Sequence, residues 1–164
     1  MERTREEDLE VRVRSLAPDD LGGVITIDAK NTGRRRDEYL KLKFRENLAE
    51  TGIKMSLAAE VDGVLAGFLL ARVYYGEFGT MEPAAVLDTI GVHQAFHGRG
   101  VGAALLGQLR TNLTGIGVRR IQTEVSWEDA AILGFFRREG FTLSDRLCLD
   151  LDLSRRREED EGSS

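Results

Sequence analysis

Six residues, His97-Gly98-Arg99-Gly100-Val101-Gly102, constrain this chain more than any others, because they join an apolar run at 86–92 to an amphipathic stretch at 101–113. The first stretch has the length and composition of a strand. The second repeats apolar residues at 101, 105 and 109 and at 106 and 113, which is helical spacing on a buried face. Three glycines within five residues let the backbone take left-handed conformations and approach a ligand closely. They do so where a helix begins and its dipole favours negative charge. Such a turn is the backbone of a phosphate cradle, although glycine-rich strand-to-helix turns also occur with no ligand.

Three cradles compete for the segment. A P-loop requires Gly-Lys-Ser/Thr at its end, and here the glycines run into Ala103-Ala104-Leu105, which excludes it. A loose dinucleotide fingerprint survives as an alternative: Gly98, Gly100 and Ala103 fit G-x-G-x-x-A, and Glu124 lies near the distance of a ribose-binding acid. The third pattern is Gln/Arg-x-x-Gly-x-Gly/Ala after a strand, and here the segment resembles the coenzyme A pyrophosphate cradle of the GNAT superfamily of N-acetyltransferases. His97 stands where Gln or Arg is usual. A second stretch, from Glu124 through Asp129, Phe135, Phe136 and Arg138 to Gly140-Phe141, resembles the second motif of that family, with Asp129 for Asn, Phe135-Phe136 for Phe-Tyr and Arg138 for Lys. The spacing of the two motifs is most similar to that of the ribosomal-protein alanine acetyltransferases.

Length and composition agree with one folded domain at 9–153, since 164 residues of which 41% are hydrophobic suffice for a single core. A flexible N-terminus is expected at 1–8 and a disordered charged tail at 154–164. No apolar run is long enough to cross a bilayer and the start lacks the apolar region of a signal peptide, so a soluble cytoplasmic protein is expected. A formal net charge of −5 argues against general nucleic-acid binding. The lone cysteine, Cys148, lies in an alternating run and is expected to be a buried or half-buried small hydrophobe. His93 and His97 lack further ligands, so no metal is expected. A homodimer stays open.

Periodicity sets the order of elements. A first strand around 11–16 precedes a helix that Asp19 or Asp20 can cap and Asn31-Thr32-Gly33 stops. A second helix, carrying Tyr39, Leu40, Phe44 and Leu48, runs to Thr51-Gly52. Strands at 55–60 and 64–75 flank Asp62-Gly63, a hairpin signal. Beyond an irregular loop at 76–83, strand (86–92), helix (101–113), strand (119–125) and helix (129–139) alternate as a parallel crossover unit. Strands at 141–143 and 146–153 follow, the last from the alternation of Leu147, Leu149, Leu151 and Leu153. The expected fold is α/β (α+β): a GNAT-like mixed central sheet of six to seven strands with helices on both faces.

The resemblance assigns roles to residues. The backbone of Ile90, Gly91 and Val92 would hold the pantetheine arm of acetyl-CoA, the cosubstrate. The amides of Gly98, Arg99, Gly100, Val101, Gly102 and Ala103 would take its pyrophosphate, with His97 or Arg99 adding charge. Asp129, Phe135 and Phe136 belong to the second motif. Acetyl transfer to an amine needs that amine neutral, whereas α-amino groups have pKa values of about 8 and lysines of about 10.4. A base is therefore required, Glu124 first and Asp88 second.

Phe136 stands where the family commonly has a tyrosine acid near the thioester sulfur. A thiol with a pKa of about 8.5 leaves tolerably without full protonation. Tyr74 or Tyr75 could supply the missing hydroxyl, and Trp127 and Phe78 could line the acceptor pocket. The acceptor is a primary amine of a small molecule, a peptide N-terminus or a lysine, and segments 31–39 and 76–83 are expected to select it. Arg34-Arg35-Arg36 is either a solvated helix start or a site for an acidic acceptor or for coenzyme A phosphate. The alternative function is a catalytically weak or inactive coenzyme-A-binding regulatory protein.

Overall fold

Residues 9–48 and 55–154 are described by the computed structural model. The flexible segment expected at 1–8, all but Ser154 of the expected tail at 154–164, and the helix stop at Thr51-Gly52 lie outside the described residues. The chain divides into two compact units, 1–126 and 127–164.

In the first unit, strands β1 (Arg12–Ser15), β2 (Leu57–Val61), β3 (Val64–Tyr74), β4 (Ala84–Val92) and β5 (Ile121–Gln122) lie side by side in that order. Asp62 and Gly63 both take left-handed φ, 50° and 76°, so that Val61 pairs with Val64 across a two-residue turn. The first three junctions are antiparallel and β4–β5 is parallel, so the sheet is mixed.

Helices α1 (Leu21–Thr32), α2 (Asp37–Leu48) and α3 (Val101–Gly115) cover both faces of the sheet. A Cβ built on Gly67 would lie 2.9 Å from Val101 and 3.3 Å from Leu105 of α3. One on Gly91, on the opposite face, would lie 2.6 Å from Phe68 and 3.4 Å from Ile27 of α1. Both glycines thus mark where a helix presses on the sheet. The α1–α2 side holds a core of Val24, Ile27, Leu40, Phe44, Phe68 and Leu70 with Leu16 and Ala58. Phe68 is fully enclosed, and its truncation to alanine would cost about 3–5 kcal/mol. Helix α1 ends as its sequence predicts, with Gly33 at φ 73° returning its N–H to the Ala29 carbonyl. Asp20 does not cap α1 through its side chain. It takes two hydrogen bonds from Arg14 (2.7 and 2.8 Å) and one from the Ala17 N–H (2.8 Å). Among the described residues, no helix is long and apolar enough to cross a membrane.

The sheet has five strands rather than the six to seven expected. The expected strand at 119–125 shrinks to the two residues of β5, and residues 142–152 form no strand. Leu147, Leu149, Leu151 and Leu153 are all more than 80% exposed. Alternation specifies where side chains go once a strand exists, whereas the strand itself depends on a neighbour's backbone, which local sequence does not encode. Cys148 shares that segment and is exposed, not buried. The second unit contains α4 (Ala130–Arg138), whose N-cap Asp129 accepts the Ile132 N–H at 3.1 Å.

Candidate active site

Among the described residues, one edge of strand β4 is covered by no strand along most of its length. On the β5 side only Ala85 and Val86 are paired, and past them Thr123 reaches across with its hydroxyl, donating to the Leu87 carbonyl at 2.8 Å. On the other side, β3 pairs with β4 through to Val92, and the His93 N–H bonds the Ala66 carbonyl at 2.7 Å. Antiparallel alternation then gives the polar groups of Gly91 to β3 and turns those of Ile90 and Val92 to the open edge. The Val92 carbonyl is met there by His97 Nε2 at 2.7 Å and Asn31 Nδ2 at 3.0 Å. Because a carbonyl only accepts, Nε2 is the protonated ring nitrogen of His97.

From β4 the chain passes through a 3-10 turn at Gln94–Phe96 into the glycine turn. Gly98 (φ 72°) and Gly100 (φ 83°) are both left-handed, and a Cβ on either would meet nothing within 4 Å. The turn therefore needs glycine for its conformation and leaves open space beside it. Helix α3 makes its first bond from the Ala104 N–H to the Gly100 carbonyl (3.0 Å), so the N–H groups of Val101, Gly102 and Ala103 have no intrahelical acceptor. Val101 and Gly102 are buried, while Gly98, Arg99, Gly100 and Ala103 are exposed. This is a chemically reasonable fit to a pyrophosphate: several N–H donors, a helix dipole and no side chain in the way.

At the other end, the pairing of β3 with β4 slips between Leu70 and Ala71, which pair with Thr89 and Leu87. Asp88 is the extra residue of this bulge, which turns Asp88 and Thr89 together toward α2. The Asp88 side chain is only 11% exposed, with Lys43 Nζ 3.9 Å from Oδ1 and Arg72 Nε 3.7 Å from Oδ2. Oδ2 is shut off from solvent and has no hydrogen-bond partner among the described residues. Burial raises the Asp88 pKa above the ordinary aspartate value; Lys43 and Arg72 oppose the rise and Glu46 adds to it. Beside it, the Tyr39 and Thr89 hydroxyls are hydrogen-bonded at 3.0 Å, and the cations of Arg36 and Lys43 lie 4.9 and 6.0 Å from the Tyr39 ring centre.

Glu124 is exposed and lies just past β5. Tyr74, a candidate hydroxyl donor, is hydrogen-bonded to Gln122 Oε1, and Tyr75 is exposed. Two of the three clustered arginines are held by carboxylates. Arg36 donates to the buried Asp28, with Nε at 3.0 Å, and Arg35 pairs with Asp37 at 2.6 and 3.0 Å. These carboxylates raise the pKa of both guanidiniums, and Arg35 depresses that of Asp37. In the second unit, the Phe136 ring packs on Phe135 and Phe141 with centroids 5.3 and 4.8 Å apart. Lys43, Arg72 and Thr89 carry no motif and emerge from the fold alone, whereas Asn31 and Tyr39 bound the 31–39 segment that the sequence offers as an acceptor wall.

The Acetyltransferase (GNAT) family profile matches residues 24–141. The chain belongs to this family. Among solved structures, this GNAT chain is similar to the aminoglycoside N-acetyltransferase AAC(6')-Iy in complex with CoA, at 21% identity and TM-score 0.73, covering 90% of this chain and 98% of that one. It is similar at 17% identity and TM-score 0.69 to an aminoglycoside acetyltransferase from an uncultured soil metagenomic sample in complex with sisomicin (87% and 95% covered). The ribosomal-protein-alanine N-acetyltransferase of Brucella melitensis biovar Abortus 2308 matches at 19% identity and TM-score 0.67 (87% and 99% covered). Such identities establish a common fold, and no acceptor type stands out among them, the alanine acetyltransferase type included.

Proposed function

We propose that this GNAT protein is an acetyl-CoA-dependent N-acetyltransferase that acts on a primary amine. One observation carries the reading: beyond Val86 the β5-side edge of β4 has no paired strand among the described residues, and after a 3-10 turn at 94–96 the chain enters a left-handed glycine turn at the start of a 15-residue helix. Ile90 offers its main-chain donor and acceptor, and Val92 its N–H, to an extended amide-bearing arm, as an added strand would. The turn and the first amides of α3 suit the pyrophosphate. That AAC(6')-Iy is similar in fold and is seen with CoA supports this choice of ligand.

In the reaction, the amine nitrogen attacks the thioester carbonyl, the C–S bond breaks, CoA leaves as thiolate and a base takes the amine proton. We assign the base to Asp88 ahead of Glu124, reversing the order drawn from sequence. A shielded carboxylate whose pKa is raised holds a proton better than an exposed one, and its Oδ2, beside Arg72, has no hydrogen bond to give up. Glu124 remains as an auxiliary. Phe136 leaves the thiolate without a tyrosine donor in the second motif, which slows the chemistry without forbidding it. Lys43, Tyr39 and Arg72 surround Asp88 and would meet the acceptor. Steady-state assay of acetyl-CoA with small amines, peptides and lysine peptides tests the reading. Amine-dependent release of CoA supports it. CoA binding without turnover for any acceptor would favour the regulatory alternative that Phe136 suggests.

A further inference from the structure

The Val92 carbonyl is already fully used. It has two lone pairs, and His97 Nε2 at 2.7 Å and Asn31 Nδ2 at 3.0 Å take both. Asn31 comes from the last turn of α1, 61 residues away in sequence, and leads into the 31–39 segment that ends at Tyr39 beside Asp88. The same helix end is tied a second time to the chain after β4, where Gln94 Nε2 donates to the Lys30 carbonyl at 3.4 Å. The acceptor-side segment is therefore fastened to the one strand edge that the coenzyme arm would need.

We propose that Asn31 is a latch: its carboxamide occupies the Val92 carbonyl in the free protein and yields that position to an N–H of the CoA arm. The inference rests on the CoA reading above. An incoming amide donor cannot add a third strong bond to this oxygen, so one resident donor must leave. Asn31 is the one with another place to go, since it lies in the last turn of α1, one residue before the helix ends at Thr32. His97 is held by the turn itself. Its ring sits five residues from Val92 on the same short connection, whose 3-10 turn fixes the His97 N–H on the Gln94 carbonyl at 3.3 Å. Release of Asn31 frees the end of α1, so that coenzyme binding reaches the acceptor side before the amine arrives. Asn31 is thus a positioning residue, acting on order and affinity rather than on the reacting atoms.

Two measurements on the full chain test the latch. Calorimetric titration of CoA into wild type and Asn31→Ala should show tighter binding by the variant, by about 2- to 10-fold, the range expected when a competing neutral hydrogen bond is removed. In a nitrogen-15 spectrum of wild type, the Asn31 side-chain amide pair should shift to free-amide positions as CoA saturates the protein. Variant affinity equal to or weaker than wild type, or an Asn31 amide that keeps its bonded shift in the complex, overturns the latch while leaving the CoA reading intact. Wild type that does not bind CoA at all overturns both.

Discussion

The two ends of the open β4 edge are made of different materials. At the turn end, residues 98–103 offer main-chain N–H groups and left-handed glycines, with open space beside Gly98 and Gly100. At the bulge end, side chains from α2, β3 and β4 close around Asp88, each pulling on another's charge. A backbone cradle is fixed by dihedral angles and tolerates changes of side chain, such as His97 where the family has Gln or Arg. A side-chain cluster depends on each member's identity, so its chemistry is more specific and more fragile. In the function proposed above, coenzyme recognition would belong to the first kind of construction and amine activation to the second.

If that division is right, the largest effect belongs to Asp88. Asp88→Asn should lower kcat by about 10²-fold or more while leaving CoA affinity unchanged, as removal of a general base does. The same variant should melt higher at neutral pH. A carboxylate whose folded pKa is raised above its unfolded value costs stability once both states are ionised; the cost fades as pH falls through the raised folded value and is gone below the unfolded value of about 3.9. Melting curves of wild type and variant across pH should therefore converge in acid and separate as pH rises. A variant that loses activity and also melts lower at pH 7 would make Asp88 a structural residue.

Glu124→Gln comes next, with a loss of kcat well below that of Asp88→Asn. An equal or larger loss would return the base to Glu124 and break the contrast between a shielded and an exposed carboxylate. Asp20→Asn should act only on stability. Arg14 holds the Asp20 pKa below the ordinary value, so this ion pair contributes above the unfolded aspartate pKa and is lost as pH falls through the depressed folded value. The variant's stability should thus depend less on acid, with kcat and CoA affinity unaltered. Arg35→Gln should have the smallest effect, because its ion pair with Asp37 is solvent-screened, and should leave the melting temperature and the KM for every acceptor close to wild type. A raised KM for acidic acceptors would restore the arginine cluster to the acceptor site.

The same contrast explains what was legible in the sequence. Glycine spacing after a strand writes a backbone cradle directly into local sequence, and the helical faces of α1 and α3, the Asp62-Gly63 hairpin and the Gly33 stop are equally local. The Asp88 cluster is not local. Its members come from positions 39, 43, 72, 88 and 89, and a one-residue slip in strand register, invisible in composition, turns Asp88 and Thr89 to one side. The strands expected after residue 141 fail for a related reason: leucine alternation at 147–153 records a preference without naming a partner, and the sheet closes at five.

Calorimetric titration of CoA into wild type and Gly100→Val tests the backbone cradle most directly. Gly100 has φ 83° and open space beside it, so valine both strains the turn and fills the place where a pyrophosphate would lie. Saturable binding by wild type and a loss of at least about 10-fold, or about 1.4 kcal/mol, in a variant that still melts cooperatively is the expected result. Wild-type affinity in a folded Gly100→Val protein would contradict the assignment of the glycine turn to the coenzyme.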